Sequence, residues 1–143
     1  MKYNPLVSVV MPVYNYGHLM RESIDSVLVQ TMPNFELIIV NDGSTDNSSE
    51  VAHSYLDKRI KVIDFPTNRG CYPATNVGMR AAMGKYLCVV DADDINLCER
   101  FEKQYQFLEE NKELGWSEVQ FRYLVILYLI IKKQIMRLLK YCS

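Results

Sequence analysis

The sequence of 143 residues has few of the residues that mark several common protein classes. Four cysteines occur without a CxxC pair, and Cys88 lies inside an apolar run, which favours a reduced cytosolic setting. The two histidines, His18 and His53, match no metal-ligand spacing and are predicted to be structural. No internal repeat or low-complexity tract occurs, and 49% hydrophobic with 23% charged residues is typical of a globular domain. The length suits about one domain with a single sizeable core.

Long hydrophobic segments are also missing. The N-terminus, MKYNPLVSVV, lacks the apolar stretch of a signal peptide, so secretion is not expected. The apolar run Tyr123 to Ile131 has nine residues, about half the length that a helix needs to cross a bilayer. Both absences predict a cytoplasmic protein.

Charge is unevenly distributed along the chain. Residues 1–114 carry 16 acidic and 11 basic side chains, which argues against a nucleic-acid-binding surface. Residues 115–143 carry 5 basic side chains and 1 acidic one, and their composition changes abruptly. We therefore predict a folded segment over 1–114 and an atypical tail over 115–143. Two interpretations of the tail stay open: an interfacial basic helix at a membrane surface, or the product of a shifted reading frame, which would promote self-association.

Strand and helix patterns alternate four times. Helical periodicity follows each strand pattern, with a predicted capping box at Asn47 and Glu50 and a predicted C-cap at Gly84. Short connections between alternating elements predict right-handed βαβ units, and therefore a Rossmann-like α/β fold with a mostly parallel sheet. The four predicted strands are Val7–Met11 (ended by Pro12), Phe35–Val40, Ile60–Phe65 and the apolar residues after Lys85.

Polar clusters follow three of these strands: Pro12 to Asn15, Asn41 to Ser44, and Asp91 to Asp94. Parallel strands end at one edge of a sheet, where α/β proteins bind ligands, so the clusters are expected to converge. Crowded carboxylates repel one another and suit Mg²⁺ or Mn²⁺, which would face a polyphosphate. An aromatic ring, a base-edge acceptor and metal-binding acids together suit a nucleoside diphosphate. Taken singly, each cluster is equally typical of a solvated turn or a helix N-cap.

Four segments carry a specific family resemblance: VSVVMPVYN, SIDSVLVQTMPNFELIIVNDGSTDNS, NRG and ATNVGMRAAMGKYLCVVDADD. In this order they resemble the nucleotide-binding half of a family 2 glycosyltransferase with the GT-A fold, over about residues 6–113. The resemblance implies an inverting transferase that uses a nucleotide sugar, commonly a uridine diphosphate (UDP) sugar, with Mg²⁺ or Mn²⁺. Its acceptor, a carbohydrate or a lipid-linked group, stays open.

The resemblance also implies roles for four nucleotide-binding residues. Pro12 and Tyr14 would lie beside the base, and Asp42 would accept a hydrogen bond from the base edge. Arg69, which lies in the segment Asn68 to Gly70 bordering the sugar nucleotide, would pair with phosphate. The alternatives are an aromatic that packs within its loop for Tyr14 and a solvated surface charge for Arg69.

The acids after the fourth strand resemble the family's DxD motif. Asp93 matches the metal-ligating acid, and Asp91 matches the first acid, which approaches the ribose and the metal. Asp94 is expected to be a supporting acid, for example one that caps a helix after Ile95. One departure is Thr75, which stands where the family usually has arginine and so removes a guanidinium.

The catalytic base is not identified in the recognised segment, and the family's acceptor half is not recognisable in residues 115–143. Glu118, the only carboxylate of the tail, precedes an apolar run and is not expected to act as the base. A catalytically inactive nucleotide- and metal-binding module is therefore the alternative to a transferase. A nicotinamide-binding domain is disfavoured because no GxGxxG motif follows the first strand. A phospho-acceptor receiver domain is disfavoured because no pair of acids follows that strand.

Overall fold

The computed structural model describes residues 4–112, which form one parallel sheet with helices on both faces. Within this range the sheet has four strands in the order β3-β2-β1-β4, and every neighbouring pair is parallel, as the sequence predicted. The tail and Glu118 lie outside the described residues. The elements along the chain are β1 (Val7–Val13), α1 (Met20–Leu28), β2 (Phe35–Asn41), α2 (Ser48–His53), β3 (Ile60–Asp64), α3 (Cys71–Ala81), β4 (Tyr86–Val89) and α4 (Arg100–Glu110).

The central strands are covered on both faces. Leu37 and Ile39 of β2 face a core that includes Ile24 of α1 and Phe101 of α4. Their neighbours in the same strand, such as Ile38, face the opposite core beneath α3. Because side chains alternate between the faces of a strand, a run that is apolar at every position predicts a strand buried on both sides. All seven residues of β2 are buried: the apolar run of residues 37–40 follows that rule, and the polar Glu36 and Asn41 are buried beside it.

Helix α3 packs closely on the sheet through small residues. Ala74 and Gly78 are buried at this contact. A Cβ atom added at Gly78 would lie 2.4 Å from Cγ1 of Val10 and 3.1 Å from Cγ2 of Val40. The helix therefore sits nearer to the strands than a larger side chain would permit, and this spacing sets where the first turn of α3 lies at the carboxyl edge.

Pro12 does not end β1, contrary to the sequence prediction. The strand continues to Val13, and Pro12 pairs in register with Val40 of β2. Val10 accepts a hydrogen bond from Val90 on the β4 side, so the alternation directs the nitrogen of Pro12 to that same side. Because β4 ends at Val89, the missing N–H of Pro12 falls beyond the end of the neighbouring strand.

Helix α2 begins after Asn47, as predicted, but the predicted capping bond at Asn47 and the predicted cap at Gly84 are wrong. Asn47 does precede α2, but its side chain makes no capping bond; Asp46 accepts a hydrogen bond from the Ser48 N–H instead, at 2.9 Å. Gly84 is not the C-cap of α3, which is Ala82. Gly84 instead lies against β1, where an added Cβ would be 2.6 Å from the Ser8 nitrogen.

Asp94 does not cap a helix, because α4 begins only at Arg100. Leu97, an apolar residue at helical spacing from Phe101, precedes the helix and is 82% exposed. Residues 90–99 instead form the loop that follows β4. The loop places the acids of the sequence motif beside the sheet rather than on a helix.

His53 has the structural role that was predicted for it. Its Nε2 lies 2.7 Å from Oδ2 of Asp64, whose Oδ1 accepts bonds from Asn41 Nδ2 at 2.8 Å and Ser49 Oγ at 2.9 Å. Partial burial raises the pKa of Asp64, but these hydrogen bonds outweigh it and leave the pKa below its ordinary value of 3.8. The cluster ties α2 to the ends of β2 and β3.

Among residues 4–112, no helix combines the length and the apolar content that a membrane crossing requires.

Candidate functional site

A cleft of about 430 Å³ opens at the carboxyl edge of the sheet. Its wall is formed by the ends of β1 and β2, the loop before α3 with the first residue of that helix, and the loop after β4. The structure thus brings together the three polar clusters that the sequence placed after separate strands. The lining residues are Pro12, Val13, Tyr14, Tyr16, Asp42, Asn68, Cys71, Asp91, Ala92 and Asp93.

Asp42 joins two walls of the cleft. Its side chain is at the end of β2 and only 2% exposed. One carboxylate oxygen accepts the Arg69 N–H at 2.7 Å, and the other accepts the Gly70 N–H at 2.8 Å. Each carboxylate oxygen has a further lone pair, so Asp42 can still accept a bond from a ligand. Its predicted contact with a base remains a prediction, but its hold on the loop before α3 is a contact that the sequence did not reveal.

Two tyrosine rings border the cleft. Tyr14 is 42% exposed and Tyr16 is 37% exposed, so both offer ring surface to a ligand. Tyr14 was predicted from the sequence, whereas Tyr16 was missed. The signal that could have found it is a second aromatic residue two positions later in the same polar loop. Cys71 was also missed, and no local pattern marks it as a lining residue, whereas Val13 and Ala92 belong to the predicted clusters without having been singled out.

Asp91 and Asp93 both line the cleft, whereas Asp94 does not. Partial burial raises the pKa of Asp91, and the charges of Asp94 and Asp93 raise it further against the opposing charge of Arg100. The charged form of Asp91 is therefore disfavoured in the ligand-free protein, and a cation beside it would relieve that cost.

Within residues 4–112, no group of three or more His, Cys, Asp or Glu side chains is placed to hold a metal ion. Two carboxylates facing one cleft still fit Mg²⁺ or Mn²⁺. Ions of this kind are commonly bound through one or two carboxylates together with phosphate oxygens and water. Asp91 and Asp93 therefore suit an ion that arrives with a phosphorylated ligand, rather than a stand-alone metal centre.

Arg69 is placed differently from the other predicted residues. Its exposed guanidinium lies over the Phe65 ring, 4.7 Å from the centroid, and it does not line the cleft. Its predicted pairing with phosphate remains a prediction. Thr75, the departure from the family pattern, donates its hydroxyl to the Cys71 carbonyl at 2.8 Å, so it bonds within α3.

Relatives that match this chain are named as glycosyltransferases. An uncharacterized glycosyltransferase of Haemophilus influenzae is 41% identical over 109 residues, which cover 75% of this chain and 44% of the relative. Glycosyltransferase GlyG of Streptococcus pneumoniae is 40% identical over 107 residues, covering 73% of this chain and 36% of the relative. The chain thus spans less than half the length of each of these relatives.

Solved structures share the fold of residues 4–112. S. aureus TarS 1-349 in complex with UDP-GlcNAc aligns with a TM-score of 0.70 and 31% identity, over 74% of this chain and 32% of that one. The mannosyltransferase PcManGT of Pyrobaculum calidifontis, in complex with GDP-Man and Mn²⁺, aligns with a TM-score of 0.67 and 26% identity, over 75% of this chain and 33% of that one. The sequence profile described as Glycosyl transferase family 2 matches residues 8–123. The chain therefore belongs to glycosyl transferase family 2 and has the GT-A fold that its sequence resemblance predicted.

Proposed function

We propose that the cleft binds the nucleoside diphosphate of a nucleotide-sugar donor, whose sugar is transferred to an acceptor hydroxyl with inversion. The observation that supports the proposal is the set of side chains that line one cleft: two tyrosine rings, a buried carboxylate and two further acids, all at a single sheet edge. The TarS structure with UDP-GlcNAc and the PcManGT structure with GDP-Man support a nucleotide sugar as the ligand class. We propose a UDP sugar as the donor.

The tyrosine side of the cleft suits the base. Tyr14 and Tyr16 offer partly exposed rings, and stacking on an aromatic ring tolerates any base. Asp42 adds selectivity, because an acceptor at the base edge favours bases that present an N–H there. A uracil ring presents such a donor, which is why UDP is the first nucleotide to test.

The acid side of the cleft suits the diphosphate only with a cation. Asp91 and Asp93 both line the cleft, and their negative charges would repel a diphosphate bound beside them. A bound Mg²⁺ or Mn²⁺ would neutralise this charge and make the diphosphate a better leaving group. Asp91 and Asp93 are the residues that would hold the ion.

The transfer step needs a base that deprotonates the acceptor hydroxyl. The acids that line the cleft within residues 4–112 are Asp42, Asp91 and Asp93. Asp42 is bonded to the loop before α3, and the other two are proposed to hold the ion. We therefore assign donor binding to the described residues and no base to them.

Calorimetric titration of the full chain with UDP tests the proposal. We expect binding with Mn²⁺ or Mg²⁺ and none after chelation. Asp93→Asn should weaken this binding most, while Asp94→Asn, which changes a neighbouring acid outside the cleft wall, should stay near the unmodified protein. Equal affinity with and without chelator would overturn the role of the ion, and no UDP binding in either condition would overturn the nucleotide site. A larger loss in Asp94→Asn than in Asp93→Asn would reverse their assignments.

Transfer is tested separately from binding. Incubation of this chain with labelled UDP sugars and a panel of carbohydrate and lipid-linked acceptors is expected to give no transfer, because no base is assigned to the described residues. NMR would report the anomeric configuration of any glycosylated product. UDP binding without transfer to any acceptor would support the alternative of a binding module. Retention of the donor's configuration would contradict the inverting mechanism.

A further inference from the structure

The loop that carries both cleft tyrosines is held by a second loop. We call residues 14–17 the tyrosine loop, and residues 44–48, which end at the first residue of α2, the clamp loop. Asn15, between the two tyrosines, has a φ of 59°, a left-handed conformation that residues other than glycine seldom adopt. Its Oδ1 accepts the N–H of Thr45 at 2.8 Å, and its own N–H donates to Ser44 Oγ at 3.0 Å. The unusual backbone of the tyrosine loop is therefore supported from the clamp loop.

The next two amides of the tyrosine loop also donate to the clamp loop. The Tyr16 N–H donates to Ser48 Oγ at 3.0 Å, and the Gly17 N–H donates to Asp46 Oδ2 at 3.0 Å. Three consecutive backbone donors, at residues 15–17, thus bond to clamp-loop side chains about 30 residues away along the chain.

Asp46 is the centre of the clamp. Its Oδ1 accepts both the N–H of Ser48, at 2.9 Å, and the Ser48 hydroxyl, while its Oδ2 accepts the Gly17 N–H. Asp46 is exposed, and slight desolvation raises its pKa, but these hydrogen bonds outweigh that effect and leave the pKa below its ordinary value. The loops also touch closely, since a Cβ added at Gly17 would lie 2.0 Å from Asn47 Oδ1. Asp46 is not among the residues that line the cleft, so it acts on the site through the tyrosine loop.

We propose that Asp46 is a positioning residue that holds Tyr14 and Tyr16 at the cleft and thereby strengthens binding of the nucleobase. The inference rests on the proposed function, because it assumes that the rings stack on a base. It separates the two ends of the ligand: the clamp contacts the loop of the base side, whereas the acids of the phosphate side lie on the loop after β4.

The variant that tests this is Asp46→Asn in the full chain. An asparagine retains one acceptor oxygen, but its NH₂ group would face either the Gly17 or the Ser48 donors, so one set of bonds is lost. We expect UDP affinity with Mn²⁺ to fall about tenfold, the scale of losing one stacked base. Affinity for inorganic pyrophosphate with Mn²⁺ should be unchanged, because pyrophosphate has no base. Hydrogen exchange at the amides of residues 15–17 should become faster.

Asp57→Asn is the matched control. Asp57 also accepts a backbone N–H, that of Arg59 at 2.8 Å, and pairs with the same residue's guanidinium at 2.8 Å. It precedes β3, at the opposite edge of the sheet from the cleft, and the substitution makes the same change in charge. UDP affinity should not change in this control. Ser48→Ala is a milder second variant, which removes the acceptor of the Tyr16 N–H without changing charge, and should weaken UDP binding in the same direction.

The outcomes separate the two proposals. Unmodified protein that binds UDP, with Asp46→Asn and Ser48→Ala binding it equally well, would overturn this inference alone. A parallel loss of UDP and pyrophosphate affinity would also overturn it, since it would indicate general loosening. Unmodified protein that binds no UDP would overturn the proposed function and this inference with it. In a Tyr14→Ala/Tyr16→Ala background, Asp46→Asn should have no further effect on UDP affinity, because it acts through the rings; an additive loss would contradict the inference.

Discussion

Replacing Asp42 with asparagine should destabilise the protein through one local change. The carboxylate is 2% exposed and accepts the Arg69 and Gly70 N–H groups, one on each oxygen. An asparagine amide has one oxygen and one NH₂ group, so one of these backbone donors would meet another donor. The loop before α3 would then lose half of its attachment to the end of β2.

The expected cost follows from the kind of bond that is lost. A hydrogen bond to a charged group contributes about 1.5–3 kcal/mol, and the bond that remains in Asp42→Asn is no longer charge-assisted. We therefore expect the free energy of unfolding to fall by about 2–4 kcal/mol. Affinity for UDP should fall too, because the same loop carries Asn68 into the cleft wall.

Asp64→Asn is the control for this prediction. Asp64 lies at the same sheet edge and also accepts several hydrogen bonds, but its side chain is 38% exposed. Exposed pairs are screened by water, so the expected cost is about 0–1 kcal/mol. Urea denaturation of both variants, read by far-UV circular dichroism, gives the two free energies. If Asp42→Asn lost no more stability than Asp64→Asn, the argument would be refuted that burial and two backbone hydrogen bonds make the Asp42 carboxylate the more important of the two.

Three further predictions concern stability. Gly78→Ala should destabilise by up to about 2 kcal/mol, because overpacking against Val10 costs about 1–3 kcal/mol and the gain in helix propensity is about 1 kcal/mol. In a Val10→Ala background, Gly78→Ala should cost less in urea denaturation than in the parent, because the Val10 methyl groups that it would contact are gone. A Gly78→Ala variant more stable than the parent would contradict this packing argument. Asp91→Asn should stabilise the ligand-free protein at neutral pH by up to about 1 kcal/mol, because the raised pKa of Asp91 makes its charged form unfavourable above that pKa. The same variant should bind UDP with Mn²⁺ more weakly, and a loss of stability without ligand would contradict this reading. The pKa of Asp64 is lower in the folded protein than its unfolded value of about 3.8, so this group contributes stability above the unfolded pKa that is lost as pH falls through the folded pKa. Asp64→Asn should therefore lose less stability than the parent between about pH 5 and pH 2.

The fold could be predicted because continuous apolar runs in the sequence indicate which strands are buried. Five of the seven residues in 35–41 are apolar, including the unbroken run of residues 37–40, and such a run is typical of a strand covered on both faces. Predictions of where a strand or helix ends were wrong where a local sequence rule ignored the neighbouring strands of the folded sheet. Pro12 was expected to stop β1, yet the neighbouring strand β4 ends first, so no ladder bond is lost there. Gly84 was expected to end a helix, yet it is required by the close approach to Ser8.

The position of the site was predictable for a similar reason. Parallel strands end at one edge, so polar residues that follow three of them must lie near one another. This brought Tyr14, Asp42, Asp91 and Asp93 to one cleft. The expectation that Asp94 caps a helix was wrong, because the length of the loop before α4 is not encoded in a local pattern that we could recognise.

The sequence by itself determined the alternation of strands and helices, the edge of the sheet that carries the polar residues, and the family. Those features depend on local periodicity and on residue order, which the chain displays directly. The tertiary structure alone decided which backbone amides meet Asp42 and Asp46, and that Tyr16 and Cys71 join the cleft wall. These contacts join residues about 27 to 30 positions apart along the chain. A hydrogen bond is sensitive to differences of tenths of an ångström in the donor–acceptor distance, and the packing of the loops sets that distance rather than any one residue.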